Sequence, residues 1–156
     1  MKNVKLLYRL LIFINLSTTV LIGIQIIMLV IPDLYNSKPY DDYVLGSFNN
    51  LILTGLLVII VTGSFKIQQG IKYIINEGFF NSVSEFKFRS AGLIFIIFAI
   101  CRIVYVLIIM SEFELSELIN NLVMAFLVVL VGMGLFIFSD FIKNGGVLKE
   151  ENDLTI

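Results

Sequence analysis

SAGLIFIIFAICRIVYVLIIM, residues 90–110, is apolar throughout except for one charge, Arg102, set well inside it. At about 1.5 Å of rise per residue, a helix of this length covers the roughly 30 Å hydrocarbon core of a bilayer. The stretch therefore reads as a transmembrane span. Arg102 lies about 18 Å from the Ser90 end and about 13 Å from the Ser111 end, at a depth where an unpaired guanidinium costs at least ~2.5 kcal/mol. Something must solvate it.

The rest of the chain has the same character. Of its 156 residues, 58% are hydrophobic and 15% charged, with a mean hydropathy of +0.98, too apolar for a soluble domain of this size. The chain contains no histidine and a single cysteine, Cys101. Common zinc sites, Ser-His-Asp and Cys-His constellations and an intrachain disulfide are thereby excluded. Cys101 sits in an apolar run and reads as a packing residue. No metal site and no cofactor are expected, and a net charge of −1 gives no footprint for direct nucleic-acid binding.

Three further uncharged runs flank the first, at residues 10–31, 44–65 and 118–139. The opening one follows Lys2, Lys5 and Arg9; it is longer than a typical signal-peptide core and lacks a small-residue cleavage site, so it reads as a retained span. Pro32 should end it. The loop beyond carries Asp33, Asp41 and Asp42 against Lys38, with Tyr35, Tyr40 and Tyr43 placed as an interfacial belt. In the run 44–65, Gly55 and Gly63 share a helix face that suits close contact; Ala125, Gly132 and Gly134 offer the same in the last run. Such faces suit packing within one bundle or between copies.

After Lys66, isoleucines at helical spacing among polar residues predict that the helix continues along the membrane surface until Gly78. Ser82 and Glu85 have capping-box spacing and open the next helix, which carries Lys87 and Arg89 before Ser90. Glu112, Glu114 and Glu117 form a second acidic loop, and Gly145 and Gly146 predict a break or helix stop before an acidic tail.

Nine basic residues (Lys2, Lys5, Arg9, Lys66, Lys72, Lys87, Arg89, Lys143 and Lys149) fall on one side, and only Lys38 on the other. The positive-inside rule then puts both termini and the 66–89 loop in the cytoplasm. The expected fold is all-α, a single membrane domain of four antiparallel transmembrane helices at about 10–31, 44–65, 90–110 and 118–139, with a cytoplasmic tail at 140–156. The localisation expected is a cell, or inner, membrane.

Two kinds of site are legible. Gln25 and Asn50 come out about 22 Å from the cytoplasmic ends of their spans, close to the level of Arg102, with Asn121 somewhat farther out. One reading joins these four residues in an intramembrane polar site for an anionic or carbonyl-bearing ligand. The other lets Arg102 snorkel outward to Asp33 or Glu112 while the amides bond across helices. Asn15, Ser17, Thr18, Thr19, Thr62 and Ser64, nearer the cytoplasmic side, read as packing hydroxyls and amides. No carboxylate lies in any span, which argues against proton-coupled export, and no His, Asp or Glu at bilayer depth could activate a nucleophile. The chain is therefore expected not to be an enzyme.

The second site is the loop and tail. "GFFNSVSEFKFRSAG", with Gly78, Phe80, Lys87, Arg89 and Gly92, and "FIKNGGVLKEENDLTI", with Phe141, Gly145, Leu148, Glu151, Asn152, Asp153, Leu154 and Thr155, resemble two patches of domain-of-unknown-function family 2975. Its members are uncharacterised prokaryotic four-span membrane proteins. The sequence departs from that pattern at Phe79, where proline is usual, and at Phe88, where leucine is usual. The resemblance implies location and architecture rather than an activity, and a small cytoplasmic helix-turn-helix regulator as partner. The expected function is a regulatory or interaction protein whose contact surface is Gly78, Phe80, Lys87, Arg89 and residues 151–155, with Lys87 and Arg89 opposite the tail's acids. Alternatives are a small transporter, channel-like or ligand-binding protein centred on Arg102, and an immunity protein whose acidic loops divert membrane-active peptides. The lipid bilayer is a partner in every case.

Overall fold

A computed structural model describes residues 2–31, 43–109 and 115–154. Among the described residues the regular secondary structure is helical: α1 (Lys2–Val30), α2 (Tyr43–Glu77), α3 (Ser82–Ile109) and α4 (Leu115–Asp153). Each is long and apolar enough to cross a membrane. Large apolar side chains line the outside, among them Phe13, Ile108 and Ile137, each 70% exposed or more. Water would not tolerate such a surface, whereas lipid tails would. The acidic residues Asp33, Asp41, Asp42, Glu112 and Glu114, with Lys38, Tyr35 and Tyr40, lie outside the described residues.

The helices pack in chain order, α1 on α2, α2 on α3 and α3 on α4, and among the described residues the backbones of α1 and α4 nowhere approach within 8 Å. The α1–α4 side is therefore the most loosely joined side of the bundle. Its register is fixed by small and polar residues. Asn15 Nδ2 donates to Gln68 Oε1 at 2.5 Å between α1 and α2. Ser84 Oγ donates to the Gly70 carbonyl at 2.9 Å between α2 and α3. Ser139 Oγ donates to the Glu85 carbonyl at 3.1 Å between α3 and α4. Both serines are fully buried, and bonds of this kind contribute about 0.6 kcal/mol each in a membrane protein.

Among the described glycines, those that would bring a Cβ against another helix's backbone join α3 to α4. A Cβ built on Gly92 would stand 2.7 Å from the Gly132 carbonyl oxygen, and one on Gly132 would stand 2.9 Å from that of Gly92. Only two glycines let these helices cross so near. Gly63 is tight as well, against Ile94 and Phe95, but Gly55 and Gly134 face open space and do not serve the contacts expected of them.

The helix beyond Lys66 ends where expected but takes a different course, the cap of α3 shifts by one residue, and the end of α4 differs from expectation. Beyond Lys66, α2 does not leave its neighbours for the membrane surface; it runs on unbroken to Glu77, with Ile71 and Ile74 buried beside Phe88 and Ile142. The interhelical bonds of Gln68 and Gly70 hold that segment in the bundle. Gly78 then stops the helix as expected, at φ +96°, a conformation open to glycine at little steric cost. The cap of α3 is Asn81 rather than Ser82. Its Oδ1 accepts from the Ser84 N–H at 2.7 Å while its Nδ2 donates to the Gly78 carbonyl at 2.7 Å, so one side chain ties the turn to the helix start. Finally, α4 passes straight through Gly145 and Gly146 to Asp153. The Phe80 ring occupies the place of a Cβ at Gly145, so the glycine makes room for the turn instead of ending the helix.

Candidate functional site

The α2–α3 turn divides the molecule into a turn end, which holds Gly78, and the opposite end, which holds Arg102. At the opposite end, Gln25 of α1, Leu53, Leu56 and Leu57 of α2, Phe98, Arg102, Tyr105 and Val106 of α3 and Asn121 of α4 line a cavity of about 390 Å³. All four helices contribute. Arg102, half-buried, donates from Nη2 to Asn121 Oδ1 at 3.4 Å, and Tyr105 Oη donates to Asn49 Oδ1. Thr54 Oγ1 lies 3.2 Å from Gln25 Oε1 and also donates to the Asn50 carbonyl at 2.8 Å.

Three of the four residues expected to converge, Gln25, Arg102 and Asn121, thus face one cavity. Asn50 does not line it; the residue is buried at 8% exposure, and its backbone rather than its amide meets the layer, through Thr54. Sequence reasoning missed Tyr105 and Thr54. Tyr105 stands three residues from Arg102 and Thr54 four from Asn50, spacings that share a helix face and could have flagged both. The cavity offers one cation, amide and phenol groups, and apolar walls. It can bind an anionic or carbonyl group, and it holds no carboxylate or imidazole among its described lining for proton transfer.

Deeper toward the turn end, the small polar residues bond as packing groups do. Thr18 and Thr19 donate to carbonyls one turn back, at Ile14 and Asn15, and Thr62 does so to Val58. Asn15, 1% exposed, keeps a buried Oδ1 without a partner among the described residues. Cys101 is half-buried and free.

The turn end is built on aromatic rings. Phe79 meets Phe80, Phe138 and Phe141 edge-on, with centroids 5.4, 5.8 and 6.2 Å apart, and Phe88 meets Phe138 at 4.8 Å. The turn is thereby pinned against α4, above a core of Ile71, Ile74, Phe88 and Ile142 on which Val4, Tyr8 and Leu11 of α1 also pack. A second cavity, also about 390 Å³, lies beside it and is lined by Phe80, Asn81, Glu85, Ile142, Lys143 and Glu150 among others.

Of the expected contact surface, Gly78 and Phe80 sit at this turn, and Glu151, Asn152 and the backbone of Asp153 continue α4 past it. Leu154, 87% exposed, ends the described chain, and Thr155 lies outside the described residues. Lys87 and Arg89 are elsewhere. The Gly92–Gly132 and Ser139–Glu85 contacts set them level with residues 135–137, about 20 Å along α4 from Glu151, so they do not stand opposite the tail's acids. No protein-family model, curated protein or solved structure matches the chain.

Proposed function

We propose that the chain is a non-enzymatic multi-pass protein of a cell membrane, with its turn end in the cytoplasm, and that this end holds a cytoplasmic partner. Helix length carries the reading. α2 continues for 12 residues from Lys66 to Glu77 and α4 for 14 from Asp140 to Asp153, about 17 and 20 Å of helix past the uncharged runs. The nine basic residues that a positive-inside orientation needs all belong to this half. What projects is a packed platform with its own core and an exposed helix tip, on which Phe141, Val147, Leu148 and Leu154 present apolar surface.

Of the two patches that resemble domain-of-unknown-function family 2975, the platform contains Gly78 and Phe80 of one and the described part of the other, so membership in that family and a small helix-turn-helix regulator as partner form part of the proposal. Gly78, Phe80 and residues 151–155 supply the contact, whereas Lys87 and Arg89 belong to the headgroup level. Leu148→Asp combined with Leu154→Asp should abolish co-purification of the partner, with insertion unchanged by cysteine labelling. Unchanged co-purification would sink the assignment.

A second reading, a ligand-binding, transport or channel-like role, is favoured by the convergence of Gln25, Arg102, Tyr105 and Asn121 on one cavity.

A further inference from the structure

The geometry points to the Arg102 cavity as a site for a bilayer amphiphile with an anionic headgroup, taken up sideways from the membrane rather than from water. The inference deepens the second reading and rests on it. Its first support is access. α2 and α3 supply most of the cavity wall, Gln25 of α1 and Asn121 of α4 its two sides, and the α1 and α4 backbones stay more than 8 Å apart along their described lengths. In a bundle embedded in lipid, the α1–α4 side, where no two Cα atoms among the described residues come within 8 Å, is the loosest flank of this cavity and the route by which an acyl chain would enter from the hydrocarbon.

The second support is chemistry. Arg102 is half-buried, and among the described residues its hydrogen bond goes to a neutral amide at 3.4 Å, the far limit for such a bond. A guanidinium carries five N–H donors and recognises carboxylate or phosphate through paired bonds. A single long bond to Asn121 leaves most of that capacity for a ligand. The third support is position. Arg102 lies about 13 Å from the Ser111 end of its apolar run and about 18 Å from the other, so a side chain reaching outward can meet a headgroup drawn inward from the nearer face. Leu53, Leu57 and Val106 then offer the apolar wall along which an acyl chain lies.

The test is native mass spectrometry of the full chain released from nanodiscs that contain phosphatidylglycerol and phosphatidylcholine, with inorganic phosphate as the soluble competitor. One phosphatidylglycerol should remain bound per chain, phosphatidylcholine should not, and millimolar phosphate should not displace it. Arg102→Gln should weaken retention by about tenfold or more, the loss expected for a charged hydrogen bond, and Arg102→Lys should recover part of it. Should Arg102→Gln fail to fold, Val106→Phe, which fills the cavity without touching the charge, should also expel the lipid.

Equal retention of the two lipids, or full retention by both Arg102→Gln and Val106→Phe, would overturn the proposal. Retention of phosphate with no lipid would overturn the ligand class yet leave a binding role at Arg102. Binding of neither probe would remove the second reading as well.

Discussion

Single residues at the helix crossings decide whether this molecule closes. Gly92 and Gly132 lie carbonyl to Cα, so Gly92→Val must push α3 and α4 apart at their tightest point. A loss of about 1–3 kcal/mol is expected, measured as reversible unfolding in mixed detergent micelles, whereas Gly55→Val, facing open space, should change little. Gly78→Ala introduces a Cβ at φ +96° and should cost about 1–2 kcal/mol in the same assay. Of the residues that form the Arg102 layer, the sequence displayed the unusual one: a single charge in an apolar run has no structural reason to be there unless something receives it. Asn50 misled because counting along a helix gives depth and not direction around the axis. Tyr105 was invisible as a site residue because a tyrosine near a span's end also suits the membrane interface.

At the scale of elements, the four helices and the turn at Gly78 between α2 and α3 were legible, whereas the continuation of α4 through its glycines was not. Apolar runs mark where a helix meets hydrocarbon, and among the described residues each run lies within one of α1 to α4 except for Ile31, one residue past α1. The first charge marks the membrane boundary, however, not the helix end. α2 and α4 continue as helices for another three to four turns because partners wait for them: Gln68 finds Asn15, Gly70 receives Ser84, and Gly145 admits Phe80. The two tail glycines should therefore behave differently. Gly146 has open space around its missing Cβ, so Gly146→Ala should stabilise α4 by about 0.5–1 kcal/mol through helix propensity alone. Gly145→Ala should show no gain, since the Phe80 ring must first move. Thermal unfolding of the two variants side by side checks the pair.

For the whole molecule, order of packing is the consequential feature. A chain of close contacts that runs from α1 to α4 makes α1 the least supported helix, joined to the rest chiefly through α2. Paired cysteines Asn15→Cys and Gln68→Cys, in a Cys101→Ser background, should be joined in isolated membranes by a short bis-thiol reagent whose reach replaces the two amides that bond at 2.5 Å. Absence of the cross-link would reject the register. That same register separates the two working regions. The polar cavity lies toward one end of the bundle, and the turn and the projecting end of α4 lie toward the other. Sequence alone grouped Lys87 and Arg89 with the tail because all are charged and lie outside the spans; only the helix pairing reveals the distance between them.

The central claim, that the α4 tip is a docking element in the cytoplasm, is tested most directly by photo-crosslinking in intact cells from a probe at Leu154, with a second probe at Arg89 as reference. Capture at Leu154, and not at Arg89, of one small cytoplasmic protein of the DNA-binding class is the predicted result. Capture at Leu154 of only lipid, or of only the chain's own residues 66–89, would contradict it.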